Sequence, residues 1–182
     1  METMLDFVKR HVLEALKPNS ISIDATCGNG HDTLFLAQRC QHVYAFDIQE
    51  KALNNTKEHL MMHRYHNVEL IKDSHHVMHH YVNKPVDAIM FNLGYLPHGC
   101  RDYHTQANTT ILAIKQGLKL LNTEGVMSIV VYRGHEHGVI ESNAVSTLIK
   151  GLSKKHFYCI RYERINDLIS PYTIIIKKIG DC

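Results

Sequence analysis

Carboxylates recur at regular places in this sequence, each closing a short apolar run. Asp24 opens the run Asp24-Ala25-Thr26-Cys27-Gly28-Asn29-Gly30, Asp47 ends the next apolar stretch, and Asp73-Ser74 the one after. Asn92-Leu93-Gly94-Tyr95-Leu96-Pro97 follows a fourth run and Arg133-Gly134-His135-Glu136-His137-Gly138 a fifth. Two glycines let a backbone turn sharply and come close to a ligand. A carboxylate at the end of a second strand can accept hydrogen bonds from both hydroxyls of a ribose. Together these residue types point to a nucleoside-bearing ligand that also carries positive charge.

A dinucleotide site would place a pyrophosphate at the first turn and add a third glycine at position 33, where this chain has Thr33. The ammonium and sulfonium of S-adenosylmethionine (SAM) suit the nearby carboxylates better. The expected SAM site therefore uses Asn29, Gly30, Asp47, Asp73 and Ser74, with Asp24 and Gly28 shaping the turn. Asp32, Gln49, His75 and Asn92 complete the set. A purely structural turn at 24–30, a solvated acid at 47 and a helix N-cap at 73–74 are the alternative readings.

The fourth run occupies the place of the Asn-Pro-Pro-Tyr motif of amino-group methyltransferases, with both prolines replaced. In that arrangement an Asn carbonyl and a backbone carbonyl accept the hydrogens of the target nitrogen and aim its lone pair at the methyl group. The Tyr95 ring could stack on a flipped base, worth ~1–3 kcal/mol. His98, Arg101 and Arg133 are the other expected substrate contacts. His135 or Glu136 could orient the substrate or accept its proton, although helix capping would use the same residues. His75/His79 and His76/His80 have the i,i+4 spacing of helical metal ligands. No third ligand accompanies them, so a solvent-facing helix is expected and no metal.

The elements that must position these groups alternate. Helices are expected over residues 2–16, 31–39, 50–63, 75–81, 105–120 and 139–150, where apolar residues recur near helical spacing. Strands are expected over 21–25, 42–46, 68–71, 86–91 and 125–132. Residues 157–164 and 172–178 read as two strands with no helix between them, hence an antiparallel hairpin. The expected fold is α/β and Rossmann-like: a mostly parallel seven-stranded sheet, a C-terminal hairpin, and helices on both faces. Residues 1–182 fit one such domain.

The motifs at 24–33, 91–97 and 134–138 resemble one family in combination: the small class I methyltransferases of the YtqB type, long labelled rRNA methylases. The family is now assigned as MnmM, the tRNA 5-aminomethyl-2-thiouridine methyltransferase. The resemblance covers nearly the whole chain. It implies methyl transfer from SAM to the primary amine of 5-aminomethyl-(2-thio)uridine at the tRNA wobble position (U34), giving the 5-methylaminomethyl form. The anticodon arm of tRNA is then the expected partner. His98-Gly99-Cys100-Arg101-Asp102 departs from the family pattern of a Gly-Gly pair and a Lys, and His137 stands where the family has Glu. An rRNA base methyltransferase and a non-catalytic SAM- or RNA-binding module are the other readings carried forward.

Composition agrees with a soluble enzyme. Hydrophobic residues make up 45% and charged residues 21%, and no apolar run approaches the roughly 18 residues of a membrane span. The N-terminus lacks a signal-peptide pattern, because Asp6, Lys9, Arg10 and His11 interrupt it. A cytoplasmic location is expected. The 5 cysteines are scattered without a CxxC pair, as free thiols of a reducing compartment would be. A net charge of +2 and 15 histidines are compatible with a nucleic-acid substrate. A symmetric homodimer is compatible with so compact a chain.

Overall fold

The computed structural model describes residues 2–94, 105–134, 136–167 and 169–180. The first helix, α1 (Met4–Ala15), starts at Thr3, whose hydroxyl accepts the Asp6 N–H at 3.1 Å. Its buried stripe of Phe7, Val8 and Val12 faces the sheet. The chain then alternates β1 (Ile21–Asp24), α2 (His31–Ala37), β2 (His42–Phe46), α3 (Glu50–Met62) and β3 (Val68–Ile71). A short 3-10 helix, His75–His80, leads to β4 (Val86–Asn92), α4 (Ala107–Leu120), β5 (Leu121–Val131) and α5 (Glu136–Lys150). The hairpin of β6 (Phe157–Tyr162) and β7 (Tyr172–Lys178) follows.

Among the described residues these seven strands form one sheet, ordered β3-β2-β1-β4-β5-β7-β6. The first five are parallel, and β7 pairs antiparallel with both β5 and β6. The later strand of the hairpin thus enters the sheet first, which leaves β6 at the edge. This is the class I methyltransferase arrangement that the alternation of runs predicts.

Central strands are covered on both faces, so Ala88-Ile89-Met90-Phe91 of β4 is apolar without alternation. In β4, Ile89 and Phe91 face the 3-10 helix, α4 and α5, whereas Ala88 and Met90 face α1 and α2. Tertiary burial also moves several boundaries. β5 begins at Leu121, four residues earlier than the sequence indicates, because Leu121 pairs with Val86 before a register shift in the ladder. In that shifted stretch Glu124 adopts a positive φ of 70°. α5 begins at Glu136, three residues before the expected start.

The helix after β3 also differs from expectation. It is a 3-10 segment and not uniformly solvent-facing. His79 and His80 are exposed, but His75 is buried, its ring edge-on to Phe91 with centroids 5.8 Å apart. A 3-10 segment eclipses i and i+3 and does not stack i and i+4. The i,i+4 histidine pairs therefore do not share one face.

Candidate active site

The carboxyl ends of β1 to β5 surround a crevice of about 990 Å³. An open parallel sheet binds ligands at this edge, where the strand order reverses between β1 and β4. The volume lies at the upper end of the range for small-molecule sites. Gly28, Asn29, Asp32, Asp47, Gln49, Asp73, Ser74, His75 and Asn92 all line it. The expected SAM residues, drawn from four strand ends, are thus brought together.

Asp24 and Gly30 act from beneath. Asp24 is fully buried; one oxygen accepts the Thr26 N–H at 3.2 Å and the other the Thr33 hydroxyl at 2.6 Å. It ties the turn to the first turn of α2. Gly30, at the N-cap of α2, has φ +82°, and its N–H reaches the Cys27 carbonyl at 2.7 Å. A Cβ at position 30 would come within 2.9 Å of Thr56 Oγ1. The same Thr56 hydroxyl donates to the Gly28 carbonyl at 3.1 Å, so α3 braces the turn.

Asp47 joins two walls. Its carboxylate accepts the Gly28 N–H at 3.1 Å and the Gln49 N–H at 2.9 Å. A carboxylate has about four acceptor positions, which leaves room for ribose hydroxyls. Asp73 accepts from the Ser74 N–H at 2.7 Å and the Tyr81 hydroxyl at 2.8 Å. His76 and the Ser74 hydroxyl share a 2.7 Å hydrogen bond. On the β4 side, the Asn92 N–H donates to Thr26 Oγ1 at 2.7 Å, and its Nδ2 donates to Asp32 Oδ2 at 2.5 Å.

Sequence reasoning missed several groups. Thr26 lies inside the 24–30 run with no role assigned to it from sequence, yet its hydroxyl joins the β1 turn to Asn92. Ile48, 49% exposed beside Asp47, and Tyr132 add apolar wall. Glu141 of α5 is buried and accepts the hydroxyls of Thr105 at 2.7 Å and Thr110 at 2.6 Å. Thr105 is in turn paired with Gly94 in both directions, each at 2.8 Å. These links clasp Gly94 and Thr105 to α5. Only the contacts across β4, α4 and α5 make Glu141 visible.

Tyr95, His98, Arg101 and His135 lie outside the described residues. Arg133 lines the crevice, but its guanidinium donates twice to the Ser170 carbonyl, at 3.2 and 2.8 Å, and lies 4.9 Å from the Tyr172 ring centre. Glu136 is exposed in the first turn of α5 and is not on the crevice wall.

The site is acidic and partly dry. Burial, then the neighbouring Asp32, pushes the Asp24 carboxyl up to about 7. Asp47 is also raised, chiefly by burial. Burial raises the Cys27 thiol, with Asp24 and Asp47 adding to it, so a thiolate nucleophile is disfavoured. His75 is held down to about 4 by burial and stays neutral, and its buried Nε2 has no partner among the described residues. The buried carboxylate of Asp24 beneath the crevice and the half-buried one of Asp47 beside it fit a cationic nucleoside.

Known proteins share both the fold and much of the sequence. A family model described as "Putative rRNA methylase" matches residues 43–178. A chloroplastic tRNA (mnm(5)s(2)U34)-methyltransferase of Arabidopsis thaliana is 32% identical over 91% of this chain. The chain spans 65% of that relative's length. Two solved structures, both described as putative, are an rRNA methylase from Clostridium thermocellum and a methyltransferase from Streptococcus mutans in complex with SAH. The first is 38% identical with TM-score 0.96, the second 40% identical with TM-score 0.93; each alignment covers 98% of this chain and 99% of the other.

Fold and crevice together define a class I SAM-dependent methyltransferase. Within that class, the chain belongs to the rRNA methylase family matched above.

Two expected results concern the cofactor. Asp47→Ala should weaken SAM binding about ten- to a hundredfold, since charge-assisted hydrogen bonds are worth ~1.5–3 kcal/mol. Unchanged affinity by calorimetry in a folded variant would remove the ribose role. The second concerns pH. Below about 7 the Asp24 carboxyl is protonated, and above it a negative charge stands under the crevice. A cationic ligand favours the ionised form and lowers its pKa, so binding releases a proton below about 7, and affinity rises as pH climbs toward this value and levels off above it. The rise is at most about tenfold per pH unit for one proton. Asp24→Asn should flatten this rise; calorimetry across the neutral range showing equal slopes in both proteins would exclude Asp24 as its source.

Proposed function

We propose that this protein transfers the methyl group of SAM to the primary amine of 5-aminomethyl-(2-thio)uridine at the wobble position of tRNA. The observation that carries this reading is Asn92, which lines the crevice at the end of β4 beside the predicted cofactor residues. Its Oδ1 has no partner among the described residues and can accept a hydrogen from a substrate amine. SAM supplies an electrophilic methyl on sulfur. The protein's part is alignment: an amine held by Asn92, in line with the reacting methyl, needs little further assistance.

The amine must also lose a proton. Of His135 and Glu136, which the sequence nominates for this, Glu136 stands off the crevice wall, which leaves His135. Tyr95 stacks on the uracil ring, and His98 and Arg101 reach the RNA. Arg133 lines the crevice with its guanidinium on the Ser170 carbonyl. The kinship with the Arabidopsis enzyme supports a tRNA acceptor over an rRNA base. No helix among the described residues is long and apolar enough to cross a membrane. A single domain over 1–182, a cytoplasmic location and a homodimer complete the proposal.

Labelled methyl from SAM should pass to tRNA carrying 5-aminomethyl-2-thiouridine and not to the same tRNA lacking the aminomethyl group. Transfer to rRNA alone would establish the runner-up, and SAM binding without transfer to either would make the protein a binding module. Affinity for the anticodon arm should fall as salt rises, because phosphate contacts release counterions.

A further inference from the structure

Asn92 poses a question that its position alone does not answer. A primary amide has a donor end and an acceptor end of nearly equal size, and a half-turn exchanges them. With its oxygen turned away from the substrate, Asn92 would show the crevice an N–H, which would engage the amine lone pair that must attack the methyl. Something must fix the orientation.

Asp32 is placed to do so. It lies in the first turn of α2 and lines the same crevice. Its Oδ2 receives the Asn92 Nδ2 at 2.5 Å. An ionised carboxylate only accepts, so it can pair with the nitrogen end of the amide and not with the oxygen end. The reversed amide would set two acceptor oxygens at that distance with no proton between them. The main chain at Asn92 is held separately by Thr26 Oγ1 at 2.7 Å, so the contact with Asp32 governs the side chain. The start of α2 that carries Asp32 is anchored next to it, where the Thr33 hydroxyl donates to the buried Asp24 at 2.6 Å.

We infer that Asp32 is a positioning residue for methyl transfer: it holds the Asn92 amide nitrogen and so presents the Asn92 carbonyl oxygen to an N–H-bearing acceptor. This role is additional to any contact with the cofactor and rests on the proposed reading of Asn92. It makes the crevice selective for a nitrogen that still carries hydrogen, as a primary amine does. An acceptor atom without hydrogen meets an oxygen lone pair there and gains nothing.

The test is a swap. Single-turnover transfer to tRNA bearing 5-aminomethyl-2-thiouridine is measured at saturating SAM and saturating tRNA, alongside SAM affinity and thermal melts. Asp32→Ala should lower the saturated rate at least tenfold, a loss that added SAM does not restore. Asn92→Asp should also be slow, because two carboxylates then face each other. Asp32→Asn combined with Asn92→Asp rebuilds the hydrogen bond in the opposite sense. The amide now at position 32 donates, and the second oxygen of the carboxylate now at position 92 is free for the amine. The pair should recover at least tenfold over Asn92→Asp alone. A purely structural role predicts recovery of melting temperature without recovery of rate. Asp32→Ala at the parental saturated rate, or a double variant no faster than Asn92→Asp, would overturn the inference. If Asn92→Ala is slow while Asp32→Ala is not, only this inference fails; if Asn92→Ala keeps the parental rate, the proposed acceptor role of Asn92 fails with it.

Discussion

Asn92→Ala should lower the single-turnover rate of methyl transfer about a hundredfold and leave SAM affinity nearly unchanged. The side chain supplies one acceptor to the reacting amine, and loss of one well-aligned group of this kind costs ~3 kcal/mol in the transition state. The fold should tolerate the change. The main-chain bond from Asn92 to Thr26 Oγ1 does not involve the amide, and the ladder to β5 at Val130 is backbone too. What the variant loses locally is the partner of Asp32, which faces the crevice and can be rehydrated. Were Asn92 only a packing residue, melting temperature would fall while the folded fraction stayed fully active. Rates at saturating SAM, read beside thermal melts, separate the two. A folded Asn92→Ala protein with parental single-turnover rate would remove this loop from the chemistry.

The second large effect is expected at Gly30. Gly30→Ala should destabilise the protein by about 3 kcal/mol, from two sources. The left-handed conformation at φ +82° costs an L residue ~1–2 kcal/mol. The new methyl would also lie 2.9 Å from Thr56 Oγ1 and 3.0 Å from Thr56 Cα, an overpacking of the kind that costs ~1–3 kcal/mol. For a chain of this size the melting temperature should drop by roughly 6–12 °C. SAM affinity should fall as well, because the Thr56 hydroxyl that must move also holds the Gly28 carbonyl against the cofactor turn. Adding Thr56→Ala removes the contact with Oγ1 but neither the one with Cα nor the strain in φ, so it should restore only part of the loss. A Gly30→Ala protein melting within about 2 °C of the parent would show that the turn has room that its geometry denies.

The fold was legible in the order of elements. Five apolar runs separated by helical stretches, then two runs without a helix, admit few topologies besides a parallel sheet closed by a hairpin. Strand ends were also legible, because a carboxylate or amide after an apolar run marks where a buried strand meets solvent or ligand. That is why Asp47, Asp73 and Asn92 were found from sequence and do line one crevice. Element boundaries were less so. Leu121 joins β5 because its partner Val86 is buried on a neighbouring strand, and nothing local announces it.

What tertiary structure alone decided is which polar groups hold one another. Asp24 and Asp32 look alike in sequence. In the fold the first is sealed under the turn by Thr26 and Thr33, and the second grips Asn92, 60 positions away. His75 and His79 share the i,i+4 spacing of one helix face, which the sequence puts in solvent, but a 3-10 turn sends His75 into the core and leaves His79 outside. Glu141 carries no signal in the sequence, and in the fold two threonine hydroxyls of the α4 region enclose it. The physical reason is common to all of these. Periodicity reports which face of an element is apolar, a local property of the chain. Hydrogen-bond partners depend on which strand ends and helix starts the sheet order brings side by side, and that order is set by pairing across the whole domain.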